Sequence, residues 1–278
     1  MTLENISYTL FIIATALYAG SMAAYISYLF KQKEEFQNYG FFLICTGAAV
    51  HFAGICAATI IMGTLPAYNL QQTLYIAALA LSGTFIVLNQ KFNLKILGLF
   101  ASPLVVIMMS AALMAPDTPP VKASFLKGFW LVSHIVLIFT GEAALALACG
   151  AGILYLIQEK AIKEKKRGFF YKRLPSLALL DSTSYTSVIT GFTMLTAGLI
   201  TGLIYAKNVW GTFWSWDPKE IWSAVTWLIY AALLHGRLTS GWRGRKSAIM
   251  TIIGFAVLLF TLFGVNLLIG GHHQPFTK

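Results

Sequence analysis

Apolar residues run along this chain in long uncharged blocks, with no alternating polar face and no short period to set a strand or a surface helix. Eight blocks can be delimited, roughly Tyr8–Phe30, Tyr39–Met62, Leu70–Leu88, Ile96–Met114, Phe129–Ile157, Tyr185–Ala206, Pro218–His235 and Ala248–Ile269. Blocks of about twenty residues match the hydrocarbon thickness of a bilayer when helical, and a helix satisfies every backbone polar group within its own segment. The pattern predicts an all-α fold, a polytopic membrane helix bundle with about eight transmembrane helices. The fifth block is long enough to tilt or to extend beyond the membrane, and the seventh is short. Gly47, Gly54, Gly141, Gly150, Gly152, Gly191 and Gly198 lie inside blocks two, five and six, which suits close helix–helix approach. With no internal repeat and no linker, the expectation is one integral membrane domain over residues 1–278.

Composition agrees. With 58% hydrophobic and 11% charged residues and a mean hydropathy of +0.72, an ordinary soluble domain is excluded. The net charge of +10 is therefore read through the membrane. The first, third, fifth and seventh connections carry 15 of the 20 Lys and Arg residues, and the other connections and the termini, with Lys219 at the start of block seven, carry five. The positive-inside rule then puts both termini and the sixth connection outside, and the basic Gln158–Asp181 segment in the cytoplasm. Lys160, Lys163, Lys165, Lys166 and Arg167 are explained as topology signals, and no nucleic-acid partner is expected. Cys45, Cys56 and Cys149 fall inside apolar blocks without CxxC spacing and are read as spectators. The first block is too long for a cleavable signal peptide and lacks a basic start.

Chemistry concentrates in Trp210–Trp222. Five of the seven tryptophans lie between Trp210 and Trp227, and each pairs a flat apolar face with one N–H donor. Asp217, Pro218 and Glu220 read as N-cap, first and third helical positions, a capping box that starts the seventh helix. Such a loop is either an interfacial aromatic belt or a platform for a flat, polar-edged ligand. The histidines favour the platform. His51 lies midway along block two, His134 near the outer end of block five, His235 at the inner end of block seven, and His272 and His273 beyond block eight. An intramembrane histidine is costly and a functional candidate, although any one of them can simply bond a neighbouring carbonyl. Zinc spacings are missing. Two imidazoles from separate helices beside tryptophans suit a planar iron porphyrin, with Lys207, Lys219 or Lys122 for its propionates. Glu142, two turns after His134, either tunes that histidine or sits protonated against a neighbouring helix.

These residues resemble a known family. From Arg173 onward, Leu174-Pro175-Ser176-Leu177 with Leu180-Asp181, Gly191-Phe192, the Trp-Ser-Trp-Asp-Pro-Lys-Glu run, Thr226–Tyr230, Leu234-His235 and Phe260–Asn266 are similar to the CcsA/ResC cytochrome c biogenesis proteins. These belong to the haem-handling, WWD-domain group that includes CcmC and CcmF. The resemblance is strong from about Trp130 and weaker over residues 1–120, so it implies a haem-handling core over 121–278 with the Trp-rich loop at 207–222. It further implies that Trp210, Trp214, Trp216, Asp217 and Trp222 bind haem b as transported substrate. His134 and His272 (or His273, since the usual Gly-Leu-His-Ser-Tyr reads Gly270-Gly271-His272-His273-Gln274) would ligate iron outside. His235 would hold it transiently within the membrane. The implied role is the haem-handling subunit of a cytochrome c synthase in the bacterial cytoplasmic membrane. It would act with a CcsB/ResB-like protein, an apocytochrome c bearing CxxCH and a thioredoxin-like thiol reductant. His51 aligns with a histidine common in these proteins, but an arginine that often follows is missing, and Asn69-Leu70-Gln71-Gln72 departs from the usual Asn-Leu-Tyr-Glu-Ser. Other readings are haem delivery to a chaperone as in CcmC, a HemX-like accessory of tetrapyrrole synthesis, and a b-type electron carrier using His51 and His235.

Overall fold

A computed structural model describes residues 3–67, 69–93, 95–116, 128–165 and 173–265. Those residues form eight α-helices and no strand: α1 (Leu3–Lys31), α2 (Glu34–Met62), α3 (Leu70–Phe92), α4 (Gly98–Met114), α5 (Phe129–Lys163), α6 (Leu177–Trp210), α7 (Pro218–Thr239) and α8 (Arg245–Leu259). A 3₁₀ turn, Lys95–Leu97, leads into α4, and a π-turn, Phe260–Gly264, extends α8. Seven of these helices are long and apolar enough to cross a membrane, α8 counted with its extension to Leu262. The exception is α7, the short seventh block. Its 22 residues include Lys219, Glu220, His235 and Arg237, and those polar groups dilute its hydropathy.

Helix ends follow local chemistry. Asn69 caps α3, its side chain accepting from the Gln72 N–H at 2.9 Å, and Ser176 caps α6 through Leu179. Gly211 closes α6 in the left-handed conformation at φ 78°, where a side chain would be strained.

The helices fall into two compact units that part between Val132 and Ser133. In the first, α1 and α2 pack closely through a seven-residue repeat. Phe11, Tyr18 and Tyr25 on α1 lie against Gly54, Gly47 and Gly40 on α2. A Cβ at Gly54 or Gly40 would come within 2.9 Å of an aromatic ring carbon, so only glycine leaves room for the ring. Ser7 and Ser21 reinforce the seam by donating to the carbonyls of Gly54 and Gly40 at 3.1 and 2.7 Å.

The second unit, α5 to α8, has a core of Leu145, Ala148, Val188, Leu195, Tyr230, Leu233 and Leu258. Here α5 and α6 cross at backbone distance: a Cβ on Gly141 would meet the Leu195 nitrogen at 2.8 Å, and one on Gly191 the Gly141 carbonyl oxygen at 2.9 Å. The Trp227 indole N–H donates to Thr196 at 2.9 Å and ties α7 to α6.

Candidate functional site

The close α5–α6 crossing places His134. Its Nδ1 lies 2.7 Å from the Gly198 carbonyl oxygen, and a carbonyl can only accept. Nδ1 therefore carries the proton and Nε2 keeps its lone pair, which is how ligating histidines are commonly oriented. Gly202, one turn on, gives the ring its space, because a Cβ there would stand 2.6 Å from Nδ1. From Gly202 to Trp210 is about 12 Å of helix rise. The imidazole is thus anchored on the same α6 turns that lead into the Trp-rich loop. Lys219, in the first turn of α7, interacts electrostatically with both His134 and Glu142.

The loop is held by Glu220. Its carboxylate accepts from the Ser215 N–H (2.8 Å), the Ser215 hydroxyl (3.0 Å) and the Asp217 N–H (3.3 Å). Asp217 completes the capping box and accepts from the Lys219 N–H at 2.8 Å. Lys207 donates to the Gly211 carbonyl oxygen at 2.7 Å and sits 5.5 Å from the Phe213 ring centroid. Between these ties, Trp216 is forced to φ 61°, a conformation rare for a bulky side chain. Its ring stands 75% exposed and perpendicular to Trp214, centroids 5.9 Å apart.

The tryptophans do not form one wall. Trp214 and Trp216 make the exposed pair, Trp210 packs edge-on against Tyr205 (6.2 Å), and Trp222 packs edge-on against Phe260 of the π-turn (4.6 Å). Thr261 reinforces that last contact by donating to the Trp222 carbonyl oxygen at 3.3 Å. The sequence marks Phe260–Asn266 only as part of the family resemblance and does not place Phe260 and Thr261 against Trp222, because a π-turn leaves no periodicity to read.

His235 lies at the far end of α7, roughly 25 Å of helix rise from Pro218. It is exposed on that helix. His51 belongs to the first unit and is fully buried. Its Nδ1 is 3.3 Å from the Tyr18 hydroxyl, which is 3.1 Å from the Ser82 hydroxyl, and Phe11 and Tyr75 present ring edges or faces to it. His272, His273 and Lys122 lie outside the described residues. No group of three or more His, Cys, Asp or Glu able to hold a metal ion occurs among the described residues.

Residues 67–273 match the family described as cytochrome C assembly protein. Curated relatives include a cytochrome c biogenesis protein CcsA from Guillardia theta, 34% identical over 78% of this chain and 80% of its own length. That of Chlorella vulgaris is 32% identical over 82% and 85%. That of Chlamydomonas reinhardtii is 36% identical over 76% of this chain and 61% of its own. Among solved structures, the cytochrome c haem lyase CcmF superposes with a TM-score of 0.65 over 96% of this chain and 50% of that one, at 16% identity. At that identity the likeness is one of fold.

Proposed function

Because this chain belongs to the cytochrome c assembly protein family, we propose that it is the haem-handling subunit of a cytochrome c synthase of the CcsA/ResC type. In that role it carries haem b across the bacterial cytoplasmic membrane and presents it on the outer side for attachment to apocytochrome c. The observation that carries this reading is the His134–Gly198 bond, which commits Nδ1 and leaves Nε2 to offer, on a crossing of α5 with the helix α6 that leads into a loop bearing an exposed tryptophan pair. His134 and His272 are the outer axial ligands, Trp210, Trp214, Trp216 and Trp222 the aromatic surroundings, and His235 the transient ligand on the inner side. Asp217 acts through the loop, since its carboxylate is taken up by the cap of α7.

The chemistry at the platform is addition of two cysteine thiols of a CxxCH segment across the two vinyl groups of haem. Each S–H proton ends on a vinyl carbon, each sulfur forms a thioether, and no electrons are exchanged. The chain's part is to bind and orient, which removes the entropy of bringing flat haem and flexible peptide together. Both cysteines must arrive as thiols, hence a thioredoxin-like reductant as a partner. A CcsB/ResB-like membrane protein completes the synthase. Thirty-odd per cent identity to proteins named CcsA, over three quarters or more of this chain, favours this reading over delivery to a chaperone as in CcmC or a HemX-like accessory role.

The test is an absorption spectrum of the purified full chain, with and without a CcsB-like partner, before and after dithionite. Sharp six-coordinate ferrous bands are expected, with loss of the outer site's contribution in His134→Ala. Unchanged bis-histidine bands in that variant would overturn the assignment.

A further inference from the structure

The inner end of the second unit carries a charge network that the platform does not use. Arg237 of α7 donates from Nη1 and Nη2 to the two carboxylate oxygens of Asp181 on α6, at 2.9 and 2.7 Å. The Gly244 backbone N–H donates to the same carboxylate at 2.9 Å. The guanidinium also lies 4.1 Å from the Tyr185 ring centroid and 3.4 Å from the Ser247 hydroxyl. Both charged side chains are mostly enclosed, 9% and 17% exposed. A bidentate fork of this kind fixes direction as well as distance. Next to it, Trp242 lies so close against Gly236 that a Cβ there would stand 2.6 Å from the indole, and the Trp242 backbone N–H donates to the Gly236 carbonyl oxygen at 3.1 Å.

These contacts bear on His235. Residues two apart on an α-helix point about 200° apart around its axis. Anchoring Arg237 inward against α6 therefore turns His235 outward, and it is exposed. We propose that the Asp181–Arg237 pair, closed by the Gly244 turn, is a rotational lock that holds the His235 imidazole facing out of the α5–α8 unit, where a haem on the inner side is ligated. Asp181 and Arg237 are positioning residues that do not themselves touch haem. The haem part of the statement rests on the inner role assigned to His235 above.

The lock is tested in the full chain, in membranes, by placing His235→Cys on a background of Cys45→Ser and Cys56→Ser, with the buried Cys149 kept as a fold reporter. Labelling by a maleimide reads exposure directly, and Asp181→Asn keeps the shape of the carboxylate while removing its charge 54 residues away in sequence. Asp181→Asn is expected to slow labelling at position 235 by about fivefold or more, since thiol reactivity follows access, with Cys149 still protected. Arg237→Lys, which keeps the charge but not the fork, is expected to do the same. An unchanged rate in both variants overturns the lock. Labelling of Cys149 in either variant makes the pair a general fold element and overturns the positioning role. Haem content of the same substitutions with His235 restored separates the two claims. Altered labelling with unchanged haem would leave the lock standing and remove the inner haem role.

Discussion

A histidine whose Nδ1 is committed to a carbonyl has one nitrogen left to offer, and at position 134 the bond that satisfies the buried ring is compatible with the ligand role proposed for it. The carbonyl of Gly198 satisfies the buried N–H and in doing so makes Nε2 the nitrogen that keeps a lone pair. Gly202→Ala tests this without touching the imidazole. Its Cβ would stand 2.6 Å from Nδ1, closer than packing allows, so the ring must turn and break the Gly198 bond. The expected outcome is loss of six-coordinate ferrous bands with helical circular dichroism unchanged. Trp216 offers a second separation of stability from function. Relief of its left-handed backbone by Trp216→Gly is worth about 1–2 kcal/mol, and loss of the edge-to-face pair with Trp214 costs about 0.5–1.5 kcal/mol. The two nearly cancel. The melting temperature should hold within a few degrees while haem retention falls, read by pyridine haemochrome content. His134, the tryptophans and the capping box were all visible in the sequence because each is rare in an aliphatic chain. Gly202 as a steric partner was not, since small residues in a span mark close approach without saying what approaches.

At the scale of elements, the Trp-rich loop and the start of α7 are one piece. Glu220 joins them with three hydrogen bonds across five residues. Glu220→Ala leaves the Ser215 and Asp217 donors without this carboxylate and is expected to cost about 1 kcal/mol, in the range of lost helix caps. It should raise acrylamide quenching of the loop tryptophans, and Glu220→Gln should recover most of the effect, because glutamine also serves in a capping box. The boundary Asp217-Pro218 was legible to the residue, since cap chemistry is local. The division of the tryptophans among Tyr205, Trp214–Trp216 and Phe260 was not, because each contact depends on where a different helix ends. Likewise Asp181 and Arg237, 56 residues apart, give no periodic signal. The seven-residue match of Phe11, Tyr18 and Tyr25 to Gly54, Gly47 and Gly40 is written in the sequence, but it can be recognised only once α1 and α2 are known to run antiparallel.

At the scale of the whole molecule, eight largely apolar blocks become eight helices among the described residues, because block length and composition decide membrane helices almost alone. The one not long and apolar enough to count among the spans is α7, which carries the cap, Lys219, His235 and the Asp181-bound Arg237. Three of its polar groups reach partners on other elements of the unit: Trp227 on Thr196 of α6, Thr226 on Thr261 beyond α8, Arg237 on Asp181. During synthesis those partners arrive at different times. As the least apolar of the eight helices, α7 is expected to linger at the translocon until α8 emerges and the two enter as a hairpin. Chains truncated just after Thr239 should therefore leave α7 accessible to a glycosylation tag that is shielded once the chain reaches Val265. The same polar residues that set α7 apart in sequence tie it to its neighbours in the folded unit.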